Sequence, residues 1–429
     1  MRCSVRRSSN RCYPNIEWGV SVSDKKKWDL AALATIPLIM TLANSMLIPV
    51  LPLMQKKLSI TPVQSSLIIT VYAAVSIVCI PIAGYLSDRF GRKLIILIGL
   101  TIAAIGGIIS GLGAWLLQEQ GAYFVILGGR LVQGIGAAGA FPIVLPLVGD
   151  MYRSQQQISS GLGMIETSNT FGKVISPILG SALALMVWFL PLAVIPLFSA
   201  ISIAAVAYFV KVPKPKKQKK ESPAGLGAFV ANTKDNLKQN RWLYAIFAIG
   251  GILMFVMFGF LYYLSSVLEE HYHIDGIWKG LVLAIPLCAI CLSSFIAGKL
   301  VGENKSKMKW FTVIGAALLT ASMLTCALVN TKSMVFLISL MFAGGVGIGF
   351  SLPSLDALIT EGVEKEQRGT ITSLYSSMRF IGVAAGPLTA SALISHEEWL
   401  FYLLAAVALL CCVVGLFGIK PGKKKKAHA

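Results

Sequence analysis

The chain has 429 residues, of which 55% are hydrophobic and only 13% charged, with a mean hydropathy of +0.73. A water-soluble domain carries about a quarter charged residues, so a soluble enzyme is excluded. The formal net charge of +19 does not mark a nucleic-acid binder, because Lys and Arg cluster in loops beside apolar runs and lack the interleaved aromatics that stack on bases.

The first twenty residues, MRCSVRRSSNRCYPNIEWGV, lack the uninterrupted apolar run of a signal peptide. Residues before about Val22 are expected to be an unpacked extension or a start set too early. A hydrocarbon core about 30 Å thick takes about 20 apolar residues per helix, and on that measure twelve spans are expected. They lie near 29–54, 62–86, 93–117, 122–147, 158–184 and 187–210, then 241–268, 277–300, 309–329, 334–358, 369–394 and 398–419. The predicted organisation is a cytoplasmic segment (1–28), a six-helix half (29–210), a basic linker (211–240), a second six-helix half (241–419) and a basic tail (420–429). The linker's run KVPKPKKQKKESP is too polar and Pro-rich to pack a core.

An even number of spans places both termini on one side, and charge decides which side. Of the 38 Lys and Arg, Lys56, Lys57, Lys279 and Lys332 fall on the flanks opposite the termini. Arg130, Lys173 and Arg379 fall inside spans, and the rest lie on the terminal side. Basic residues are retained on the cytoplasmic side, so a multi-pass cell-membrane protein with cytoplasmic termini is expected. The same rule accounts for the charge without any nucleic-acid partner.

Six of the eight cysteines lie in spans, and Cys288 and Cys291 form a CxxC with no His or further Cys beside it, which reads as small apolar helix residues. His271 and His273 read as solvated loop residues, so no metal is expected. No GxxxxGK[ST] loop is present, so nucleotide is not expected to drive the protein.

The two halves repeat each other. With an offset of 210 residues, Gly172-Lys173-Val174-Ile175-Ser176-Pro177 of span five faces Gly382-Val383-Ala384-Ala385-Gly386-Pro387 of span eleven; separately, Gln133-Gly134-Ile135-Gly136 in span four resembles Val346-Gly347-Ile348-Gly349 in span ten. Paired halves are a common way to build a midplane site that can face either side.

Between spans two and three the sequence reads Gly84-Tyr85-Leu86-Ser87-Asp88-Arg89-Phe90-Gly91-Arg92-Lys93. One acid among several bases at a helix end can latch neighbouring helices in one state and release them in another. Span four carries Arg130-Leu131-Val132-Gln133-Gly134-Ile135-Gly136. A charged residue at that depth costs at least about 2.5–3.5 kcal/mol and needs a reason, either tuning of a nearby carboxylate or anchoring of helix packing. Span five carries Gly163, Gly172, Ser176, Pro177, Gly180 and Ser181, suited to close helix approach and a kink. Together these stretches resemble the major facilitator superfamily, and specifically its twelve-span drug/proton antiporter branch. That resemblance implies an all-α membrane protein of two pseudo-symmetric six-helix halves. It also implies a monomeric secondary transporter that needs no cofactor and exchanges protons for small molecules by alternating access.

On span five, Glu166 and Lys173 lie two turns apart on one helix face with Asn169 between them, and Arg379 occupies the position of Asn169 in span eleven. Ionisable residues inside a membrane are functional candidates by default. Glu166 is expected to carry the proton, with Arg130 and Asp88 as further coupling candidates. Asn44, Asn169, Lys173, Arg379 and Tyr262 are candidates for the substrate cavity, and a polar network joining the two halves is the competing reading. Gln64 and Asp356 are lesser candidates, and the aromatics Phe255, Phe258, Phe260, Tyr262 and Tyr263 could line the cavity. Gly84, Asp88, Arg89, Gly91, Arg92, Gly172, Pro177 and Gly180 are expected to serve conformational change. The resulting expectation is a proton-coupled multidrug exporter. The alternative is a dedicated exporter of one metabolite such as a siderophore, because Lys173 and Arg379 suit an anion better than a cation.

Overall fold

A computed structural model describes residues 24–152, 155–211, 237, 240–301, 304–329, 333–363 and 365–419. Most of the linker, the tail and the first 23 residues lie outside the described residues. Twelve helical spans follow one another, and no strand occurs among the described residues. The first half comprises α1 (Trp28–Leu58), α2 (Pro62–Phe90), α3 (Arg92–Leu116), α4 (Glu119–Met151), α5 (Gln155–Met186) and α6 (Leu190–Phe209). The second comprises α7 (Trp242–Glu270), α8 (Gly276–Val301), α9 (Lys305–Leu328), α10 (Met334–Gly362), α11 (Lys365–Ala392) and α12 (Glu397–Gly418).

Packing reproduces the repeat. In the first half α1 packs on α5, α2 and α3 on α4, and α3 on α6; in the second α7 packs on α11, α8 and α9 on α10, and α9 on α12. The halves meet through α2 against α11 and α5 against α8, which are equivalent pairs. Large apolar side chains such as Ile98, Leu112, Leu197, Ile314 and Leu409 point outward from α3, α6, α9 and α12. Water would penalise such a surface, and lipid does not.

Small residues set the close approaches. A Cβ on Gly172 would press on the Leu38 carbonyl of α1, and one on Gly382 on the Gly251 carbonyl of α7, so the 210-residue offset of α5 onto α11 holds. The α4 repeat has a different register. Gly134 approaches Tyr72 of α2 and Gly136 approaches α3; their counterparts by packing are Gly345 against Pro286 of α8 and Gly347 against Gly315 of α9. The matching offset is thus two residues shorter than the one that aligns Gly134 with Gly347, because helix partners and not local sequence fix the register.

Ten of the spans are long and apolar enough to cross a membrane on that measure alone. The two that fall short are α5 and α11, the repeat-related pair that carries Glu166, Asn169, Lys173 and Arg379.

Candidate functional site

The helix α1 is interrupted. Its first segment ends at Ser45, a 3-10 turn spans Ile48–Val50, and a short helix resumes at Leu51–Leu58. Pro49 and Pro52 lack the amide protons that would continue the ladder, so carbonyl groups are released at this depth. Irregular backbone within a membrane persists only where other groups satisfy it, and here the Ser265 hydroxyl takes the Ile48 carbonyl and the Lys279 ammonium the Pro49 carbonyl. Fully buried Arg130 donates from Nε to the Ile68 carbonyl (2.9 Å), from Nη1 to the Ala43 carbonyl (3.2 Å) and to Gln133 Oε1 (2.6 Å), and from Nη2 to Asn44 Oδ1 (2.6 Å). Its guanidinium lies 4.4 Å from the centre of the Tyr72 ring. Glu166 is not among these partners. The structure therefore assigns Arg130 and Asn44 to the joint between α1, α2 and α4, where carbonyls and amides take the guanidinium's protons.

A second polar group lies on the seam between the halves. Glu166 Oε1 accepts from Asn169 Nδ2 (3.2 Å), and Asn169 Oδ1 accepts from Thr41 Oγ1 of α1 (2.6 Å). Across the seam Arg379 approaches Asp356 at 3.9 Å, and its guanidinium lies 5.6 Å from the centre of the Tyr375 ring. Tyr375 also faces Asp356. Near these groups stands Lys173, close to the middle of the 32-residue α5. It is 8% exposed and has no hydrogen-bond or salt-bridge partner among the described residues. Glu166, Asp356, Arg379 and the Cys291 thiol are near enough to feel its charge. Lys173 lines a gap of about 10 Å³ together with Ser45, Ile48, Pro177, Phe258 and Leu287, which is room for about one water. Toward the end of the bundle that carries the termini, the Asp356 side chain is 33% exposed.

The end opposite the termini is sealed by contacts that the sequence reading missed. Glu269, at the end of α7, pairs with Lys56 of α1 at 2.8 Å and with Lys279 of α8 at 2.8 Å. Lys279 was expected on a solvated flank; it is instead 2% exposed and also donates to the Pro49 carbonyl (2.7 Å). The signal available was its place one turn inside a span. Tyr262, expected in a cavity wall, is buried and donates to the Pro62 carbonyl (3.0 Å), with Gln55 and Ser65 both 3.3 Å away. Ser265 donates to the Ile48 carbonyl. Tyr262 thus ties the halves together at this end. Tyr263 donates to Glu397 within the second half, and Gln64 forms a capping box with Thr61 at the start of α2.

At the terminal end, Gly91 has φ +103°, a conformation open to glycine, and it turns the chain from α2 into α3. Arg92 pairs with Asp88 (3.4 Å) and with Asp150 at the end of α4 (3.1 Å), and Arg89 lies over the Phe90 ring. Gly84, in the last turns of α2, faces Ser373 of α11 across the seam. In α5, Gly172 and Gly180 pack on α1 at Leu38 and Met46, while the Pro177 carbonyl meets Gly280 of α8.

The family model for the Major Facilitator Superfamily matches residues 33–387 and 309–429. A Bacillibactin exporter of Bacillus subtilis (strain 168) is 51% identical over 91% of this chain and 94% of its own length. Multidrug resistance protein 2 of the same organism is 25% identical over 95% of this chain and 98% of its own. Among solved structures, the human organic anion transporter MFSD10 superposes with a TM-score of 0.72 at 17% identity, covering 92% of this chain and all of that one. An inward-facing, unoccupied bacterial homologue of the human lysosomal transporter Spinster gives 0.72 at 14% identity, covering 94% of this chain and all of that one. Fold, pseudo-symmetric packing and these matches agree, and the chain belongs to the Major Facilitator Superfamily as a multi-pass membrane transporter.

Proposed function

We propose that the protein exports a single anionic metabolite of the siderophore class from the cytoplasm across the cell membrane, as a secondary transporter with cytoplasmic termini. The observation that carries this reading is Lys173, a cation buried on the seam with no hydrogen-bond or salt-bridge partner among the described residues and a second cation, Arg379, near enough to feel its charge. A buried ammonium is costly unless paired, and an anionic group of the cargo would pair it. Similarity to a Bacillibactin exporter over nearly the whole chain supports the same substrate class. A broad multidrug exporter is the second reading, favoured by the more distant relative named for multidrug resistance.

The seal formed by Lys56, Glu269, Lys279 and Tyr262 closes the outer side in this reading. Everted vesicles from cells overproducing the protein test the proposal. Accumulation of bacillibactin, with no accumulation of cationic dyes such as ethidium, is expected. Accumulation of several unrelated cations without bacillibactin would overturn it in favour of multidrug efflux.

A further inference from the structure

This inference rests on the reading of the cargo as an anion bound at the seam, and it concerns what drives that anion out. Proton counterflow requires a site where a proton and the cargo exclude one another. Binding energies are reciprocal, so a proton that weakens cargo binding must itself be displaced by cargo.

Among the described residues, the titratable and charged groups around Lys173 and Arg379 are Glu166 on α5, Asp356 on α10, Tyr375 on α11 and the Cys291 thiol on α8. A proton added to either carboxylate, Glu166 or Asp356, makes the seam more positive and therefore holds an anion better. Asp356 shows the effect most directly. As a carboxylate it stands 3.9 Å from Arg379 and competes with the cargo for that guanidinium; once protonated it is neutral and leaves Arg379 to the cargo. Lys173 acts in the same sense, since it attracts an anion only while it holds its proton. The second charged cluster, Lys56, Glu269 and Lys279, lies at the far end and is closed on itself.

We propose that the transporter is an electrogenic anion exporter driven by the membrane potential, and that protons bind together with the cargo and not in exchange for it. An interior-negative potential expels net negative charge, giving about 50-fold accumulation per elementary charge at about 100 mV. Asp356 sets how many protons leave with each anion, which makes it a positioning residue for Arg379 and not an exchange site.

Proteoliposomes containing the full chain and bacillibactin separate the possibilities. Valinomycin with a potassium gradient sets the potential, and a buffer jump sets the pH difference. Accumulation that follows the potential and persists when the pH difference is clamped at zero is expected. Accumulation that follows the pH difference and ignores the potential would overturn the proposal while leaving the anion reading intact. Absence of bacillibactin movement under either gradient, with transport of cationic dyes, would overturn the anion reading itself.

The variant Asp356→Asn, a mimic of the protonated acid, supplies a second readout. Its KM for bacillibactin is expected to fall about 5-fold or more, with a flattened pH profile and transport preserved. Loss of potential-driven transport in that variant, with an unchanged melting temperature, would make Asp356 an obligatory exchange group and contradict the proposal. Should the variant fail to fold, protection of Cys291 from maleimide by bacillibactin in the wild type, stronger at low pH, decides the sign of the linkage. Weaker protection at low pH would contradict it.

Discussion

Arg130 and Lys173 are both cations buried in the bundle, and they differ in what surrounds them. Arg130 directs its guanidinium at two carbonyls and two side-chain amides, an arrangement that suits its planar fork and not a lysine's single ammonium. Arg130→Lys is therefore expected to lower thermal stability in detergent by on the order of 3 kcal/mol, because unsatisfied buried acceptors cost about 1–3 kcal/mol each. Normal melting of that variant with transport lost would instead make Arg130 a transport residue. The sequence marked Arg130 as a residue that needed a reason and left two open, a nearby carboxylate or an anchor for helix packing. The carbonyls that replace the carboxylate come from α1 and α2, and spacing along α4 carries no trace of them. Lys173 and Arg379 were legible because charge inside an apolar span stands out, and the 210-residue repeat linked their helices. Their neighbour Asp356 was undervalued, since depth along α10 does not reveal that it reaches Arg379.

Among the elements, α1 carries the least expected geometry. A continuous apolar span was expected over 29–54, whereas the helix breaks around Ile48–Val50 and resumes to Leu58. Pro49 and Pro52 were the available signal, and the break gives the Lys279 ammonium and the Ser265 hydroxyl their carbonyl partners. Discontinuous helices of this kind mark the working region in many transporters. The Glu269 ion pairs hold α1, α7 and α8 together at the sealed end, and each transport cycle must break them. Glu269→Gln removes the charge and keeps the shape, so the far end should open more readily. Spin labels at Gln118→Cys and His396→Cys, in a background without the native cysteines, are expected to report a longer and broader distance in that variant. An unchanged distribution would show that the ion pairs do not set the balance between states.

At the scale of the whole molecule, two six-helix halves meet along α2 with α11 and α5 with α8. The twelve spans and the halves were legible from hydropathy and the repeat, because lipid demands long apolar helices whatever the protein does. The seam was only partly legible. Which helices meet across it depends on packing between residues far apart in sequence, and the Glu269 latch belongs to that class. Among the described residues, α5 and α11 are the two spans that fall short of the other ten as apolar membrane helices, and they are the repeat-related pair that carries Glu166, Lys173 and Arg379. In the proposed reading this seam holds an anion through Lys173 and Arg379. Calorimetric titration of bacillibactin into the purified transporter, wild type against Lys173→Met, tests it most directly. The variant is expected to bind about 30-fold or more weakly, the scale of truncating one partner of a buried charge pair, with a melting temperature equal to or above that of the wild type. Equal affinity in the two proteins, or binding lost only through unfolding, would contradict it.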